Sequence, residues 1–177
     1  IDLHLFVVDY DESKRHDLSN DPDIKSEPLD TFKKHFPSSY LNSKSADLAI
    51  YLGGYDADGN CHGEAWSYPG GRHAWAQMVK DWYAGGWTYD GSPHGRRVTT
   101  IHELGHNFDA DHQGSGGYNQ AYDWWSGLNH YYTVMWGTYK GSKSKYEFSS
   151  DDYHGDSTHD NARRISETKG IVANYNT

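Results

Sequence analysis

The sequence predicts a single α/β (α+β) domain spanning residues 1–177, with a mixed twisted sheet, a long central helix and a C-terminal helix. Three observations predict it. Runs rich in β-branched and aromatic residues, such as "IDLHLFVVDY" and "ADLAIYLGG", alternate with segments of helical spacing. No long polar linker, internal repeat or low-complexity tract divides the 177 residues. Hydrophobic residues are 35% and aromatics 15% of the chain, so much of the core must come from Tyr and Trp, whose polar tips need partners when buried.

The elements follow in chain order. Residues 1–10 read as a strand buried on at least one face. In "LDTFKKHF", Leu29, Phe32, Lys33 and Phe36 stand at helical spacing until Pro37 stops the pattern, which gives a short amphipathic helix. "ADLAIYLGG" reads as a second strand, and "YDADGNCHGEAWSY" as a hairpin turning at Asp58-Gly59. "AWAQMV", residues 74–79, fits strand or helix by pattern alone. A loop, "AGGWTYDGSPHG", ends with Ser92 and Pro93, which cap and open a helix through "GRRVTTIHELGHNF". Gln113 to His130 has no period and reads as a long ordered loop or binding surface. Finally "STHDNARRISETKGIVANY" places Ile165, Val172 and Tyr175 on one helical stripe, with Ser157 and Asp160 as a capping pair.

Charge and composition exclude several functions. The net charge is -9, and no Lys/Arg run is long enough to track phosphates, which argues against nucleic acid as the main partner. No segment approaches the 18 or more apolar residues of a membrane span. The chain starts at Ile1, which suggests a processed mature product. The single cysteine, Cys61, has no intramolecular disulfide partner and reads as a buried inert thiol. "DADGN" opens like a calcium loop, but Cys61 stands where an EF-hand takes glycine and Ser67 where it takes glutamate, so calcium is not supported.

"TTIHELGHNFDADHQ" puts His102, Glu103, His106 and His112 within eleven consecutive positions. His102 and His106, four apart on a helix, share one face. A third ligand must approach from another direction to build a tetrahedron, so the helix has to end and the chain turn before His112 reaches back. Three histidines leave a fourth zinc position for water, and Glu103, beside a ligand, can contact that water without displacing it. A bare HExxH arises by chance in many proteins, whereas His112 at the required offset makes a catalytic metal site the stronger reading.

These residues resemble the motif of the metzincin clan of zinc peptidases, HExxHxxGxxH followed by a methionine turn, for which "YTVMWG" offers Met135. Within the clan the chain is most similar to the adamalysin (reprolysin) group, through "ADLAIYLGGYDADGNCHGEAW", "HELGHNFDADH" and "YEFSSDDY". Gly137 stands where astacin-like and serralysin-like relatives carry a tyrosine ligand, which favours the adamalysin side. The resemblance spans most of Asp47 to Tyr153. It implies a metzincin-like mixed sheet with an active-site helix, a Met turn at Met135 and a C-terminal helix, and it settles residues 74–79 as strand. It also implies that Gly63, Glu64, Ala65 and Trp66 form the sheet edge lining the cleft, where an extended substrate can add as a strand. Asp109 departs from the motif's usual glycine, and no cysteines brace the fold, with "FSSDD" where one would be expected. Ile1 to Asp9 looks like the family's second strand, so its first strand and long first helix have no counterpart.

The functional expectation is a secreted, monomeric zinc metalloendopeptidase acting on protein or peptide substrates. One catalytic Zn2+ is held by His102, His106 and His112, and Glu103 is the general base for a zinc-activated water. The rival is a catalytically weak zinc-binding interaction or adhesion domain of the same fold, against which the presence of Glu103 argues. A zinc hydrolase for a small non-peptide substrate would use the same residues. Trp124, Trp125, Tyr131 and Tyr132, near Met135, fit a substrate pocket or core packing equally. Asp109 is expected at positive φ, because after His106 the backbone must reverse and Asp and Asn visit the left-handed region most readily after glycine. Its carboxylate should then lie outside the metal shell.

Overall fold

Leu29 and Phe32, three apart, give the first helix its buried face. The computed structural model describes residues 21–25, 27–53, 62–78 and 92–176. Helix α1 spans Pro28–His35, and α2 spans Ser38–Ser43, directly after Pro37. The strand expected over 1–10, the Asp58-Gly59 turn, the calcium-like stretch and Cys61 lie outside the described residues.

Three strands form the main sheet: β1 (Ala49–Leu52), β2 (Gly63–Ala65) and β3 (His73–Ala76), in the order β1-β3-β2. Strand β3 runs parallel to β1 and antiparallel to β2, so the sheet is mixed. The strand expected over residues 74–79 is therefore present but ends at Ala76, with Gln77 and Met78 beyond it and residue 79 outside the described residues. The neighbour of β2 among the described residues is β3, not the preceding strand β1. All four residues of β3 are buried, as befits a central strand covered on both faces. Phe32 of α1 packs its ring against Tyr51 and His73, with centroids at 5.7 and 5.8 Å. Ala74 and Ala76 alternate to the other face, where their small side chains let the next helix sit close. The interior is hydrogen-bonded as composition demands: the buried Trp75 indole donates to Gly53 O at 2.7 Å, and His73 Nε2 lies 2.7 Å from Phe36 O.

Helix α3, Pro93–Asn107, begins as the sequence predicts, with the Ser92 hydroxyl accepting from Gly95 N at 3.0 Å and Pro93 in the first turn. It packs on β2 and β3. The unbroken loop expected over Gln113–His130 is corrected by a hairpin of β4 (Asp123–Ser126) and β5 (Asn129–Tyr132), turning at Gly127 with φ +61°. Cross-strand rings stabilise it: Trp125 stacks on His130 at 4.3 Å and Trp124 faces Tyr131 at 5.7 Å. Such pairing leaves no mark in the periodicity of either strand. Trp125 is 66% exposed, so it is not core.

Helix α4, Asn161–Val172, begins three residues later than a Ser157 cap would place it. The Asp160 carboxylate is the N-cap, accepting from Arg163 N at 2.9 Å. Ser157 sits in the preceding turn, which is closed instead by the Asp156 carboxylate accepting from Thr158 N at 2.8 Å. Ile165 and Val172 of α4 are buried in one cluster with Val98, Phe108, Val134 and Met135, and Tyr175 packs against it. Full burial of side chains of this size contributes about 1.5–3 kcal/mol each, which ties α4 to the end of α3.

Candidate metal centre and active site

The three histidines meet at the C-terminal half of α3. His102 and His106 present their Nε2 atoms from one helix face, and those atoms lie 2.9 and 3.1 Å from Nε2 of His112. The helix ends as the third position requires. Phe108 is the C-cap, Asp109 takes φ +66°, and the amides of Asp109 and Ala110 bond back to His106 O and Gly105 O, both at 3.0 Å. That pair of bonds is a Schellman closure, which satisfies helix-end carbonyls while reversing the chain. Asp109 thus adopts the left-handed conformation expected of it, and its carboxylate lies against Arg164, outside the histidine cluster.

Hydrogen bonding fixes the ring tautomers. His102 Nδ1 lies 2.8 Å from Val134 O and His106 Nδ1 lies 3.0 Å from Ala110 O. A carbonyl only accepts, so both Nδ1 atoms carry the proton and both Nε2 atoms present lone pairs. His112 Nε2 faces the two of them with at most one proton, so protons alone cannot satisfy this triangle. A cation can. Three imidazole nitrogens holding zinc tetrahedrally at about 2.0–2.1 Å would stand about 3.3–3.4 Å apart, a few tenths beyond the spacing here. The histidines are positioned to bind a metal, and the donor set suits zinc.

The environment favours neutral imidazole. Burial, with the neighbouring His106 as a lesser cause, pushes His102 down to about 3. Burial and then His112 push His106 down to about 4, and burial also lowers His112. In the unfolded chain all three titrate near about 6.5. Between the folded and unfolded values the unfolded chain binds more protons, so this contribution is complete above about 6.5 and is lost as pH falls toward 3–4. Glu103 has the opposite slope, since burial first and then the Glu64 carboxylate raise it well above the usual range. Chelator-treated Glu103→Gln, freed of that opposing effect, should lose on the order of a few kcal/mol between pH 6.5 and 4. Urea unfolding across that range checks this, and a flat profile contradicts it.

Glu103 is 5% exposed and lies against Gly63 of the edge strand. A Cβ on Gly63 would stand 2.6 Å from both Cγ and Oε1 of Glu103, so only glycine leaves that carboxylate its place. Asn107, at the end of α3, donates to Trp66 O at 2.8 Å and fastens the far end of the same edge. Glu64 and Trp66 are exposed, Ala65 is half-buried, and β2 has no strand on its outer side among the described residues.

Met135 is fully buried beneath the helix. A Cβ on Gly105 would stand 2.5 Å from its Sδ, so the glycine of "HELGH" is what admits it. Its predecessor Val134 supplies the carbonyl that orients His102, so the turn carrying Met135 is joined directly to the histidine cluster. Sequence reasoning missed the two orienting carbonyls, for which no residue type is a signal, and the contact of Gly63 with Glu103. It also missed the role of α4, whose Asn161, Arg164 and Thr168 stand at helical spacing and all reach the turn before His112.

Comparison with known proteins agrees with this geometry. No helix among the described residues is long and apolar enough to cross a membrane. Neither a curated protein nor a solved structure matches the chain significantly. A family model described as metallo-peptidase family M12B, reprolysin-like, matches residues 1–113, which takes in the edge strand, α3 and all three histidines. With that match covering more than half of the 177 residues, the chain belongs to the reprolysin-like M12B metallopeptidases.

Proposed function

We propose that the protein is a secreted zinc metalloendopeptidase, a single catalytic domain acting as a monomer on protein or peptide substrates. The observation that carries this reading is the convergence of three Nε2 atoms, two of them with their lone pairs free, on a helix that also carries the buried carboxylate of Glu103 next in sequence to His102. His102, His106 and His112 hold the ion, and Val134 O and Ala110 O keep two of the rings oriented. Bound zinc would supply Lewis acidity, lowering the pKa of a water toward about 7 and polarising the scissile carbonyl.

Glu103 takes the proton from the attacking water and delivers it to the leaving amine. Its burial, which raises its proton affinity, suits a carboxylate that must carry a proton between the two partners. Gly63, Glu64, Ala65 and Trp66 run along β2, which has no outer strand among the described residues, and an extended peptide adds there by main-chain hydrogen bonds. Met135 is the family's Met turn, an apolar floor under the ligands. A purely adhesive zinc domain would have no need of the buried carboxylate.

Cleavage of an unstructured protein such as reduced, alkylated casein tests the reading. It should stop with a chelator and return when zinc is restored, whereas chelator-resistant cleavage would contradict it. A second expectation concerns Gly63. Because the added methyl of Gly63→Ala meets the flexible end of Glu103, the variant should fold and bind zinc but displace the base. Misplacement of about 1 Å costs about 10²-fold. Wild-type kcat in zinc-replete Gly63→Ala would refute the role of this contact.

A further inference from the structure

The turn between His106 and His112 is held from one side by α4. Thr168 Oγ1 donates to Phe108 O at 2.7 Å. Arg164 donates from Nε and Nη2 to the Asp109 carboxylate at 2.6 and 2.5 Å. Asn161 grips Asp111 at both ends of its peptide unit, accepting from Asp111 N at 2.9 Å and donating to Asp111 O at 3.2 Å. Asn161, Arg164 and Thr168 stand three and four apart and so form one polar stripe on α4. Asn161 is itself fastened, its backbone N–H donating to Ser149 Oγ at 3.0 Å. The stripe therefore meets Phe108, Asp109 and Asp111, three of the four residues on the path from the end of α3 to His112.

At the centre of this path stands Asp109, in the left-handed region that glycine enters freely and other residues enter at a cost. The side chain that brings the strain also brings an anchor, a two-nitrogen guanidinium contact on a half-buried pair. Resting on the metal-site reading above, we propose that Arg164 is a positioning residue for the third metal ligand. It holds Asp109 in the left-handed turn from which His112 reaches the other two histidines, with Asn161 and Thr168 completing the cradle. On this account α4 belongs to the metal centre although none of its residues touches the metal.

The test is a zinc-affinity cycle, read by competition with a chromophoric chelator, on wild type, Arg164→Ala, Asp109→Gly and the double variant. Losing an outer partner of a metal ligand typically weakens binding about 10–100-fold, and Arg164→Ala should fall near the lower limit, about 10-fold. Asp109→Gly removes both the strain and the need for the anchor, so it should bind within about 3-fold of wild type, and adding Arg164→Ala to it should change nothing further. Should Arg164→Ala not fold, Arg164→Lys gives the same comparison, with a loss of about 3-fold that Asp109→Gly again suppresses. A merely structural contribution of Arg164 would weaken binding equally in both backgrounds, which would overturn the proposal, as would unchanged affinity in Arg164→Ala. Wild type that binds no zinc would overturn the metal-site reading and this one together. Zinc-binding wild type without the coupling overturns only this one.

Discussion

Glu103→Gln is expected to bind zinc as wild type does and to lose about 10²–10⁴-fold in kcat, the usual contribution of a general base. The two outcomes separate because Glu103 is not one of the three metal-binding side chains. It lies against Gly63, while the ligand nitrogens are set by Val134 O and Ala110 O. Glutamine has nearly the same volume, so the contact with Gly63 is preserved and only the proton acceptor is gone. Metal content and turnover measured on one preparation decide the matter. Near-normal turnover in a zinc-replete sample would mean that another group takes the proton.

His112→Ala should cost both functions. The ring is the only ligand that α3 does not carry, and its removal leaves two nitrogens on one helix face, too few to define a tetrahedral site. Since loss of an outer partner alone weakens zinc binding about 10–100-fold, loss of a ligand should exceed about 100-fold, with activity falling in step. The fold should survive, because His112 is only half-buried and the turn before it is held by α4. Unchanged zinc affinity in His112→Ala would show that the third ligand lies elsewhere.

Much of this site is legible in the sequence because its constraints are local. The spacing of His102, His106 and His112 encodes one helix face and a reversal, and the reversal in turn demands a residue tolerant of positive φ at position 109. Ser92 and Pro93 mark the start of α3 for the same reason, since a cap acts within one turn. What was illegible is non-local or carried by the main chain. Val134 orients His102 from 32 residues away through a carbonyl that any residue possesses. Gly63 makes room for Glu103 across a gap in sequence, and its lack of a side chain reads equally well as a loop signal. The hairpin of β4 and β5 depends on cross-strand stacking, and Arg164 on α4 reads as ordinary helix-surface charge until Asp109 is seen opposite it.

X-ray absorption at the zinc edge of the zinc-loaded protein shows whether His102, His106 and His112 together hold one zinc. One zinc per chain is expected, with three imidazole nitrogens and one oxygen at about 2.0–2.1 Å and no sulfur. A sulfur scatterer at about 2.3 Å, which only the lone cysteine or a methionine could supply, or an all-oxygen shell, would contradict it.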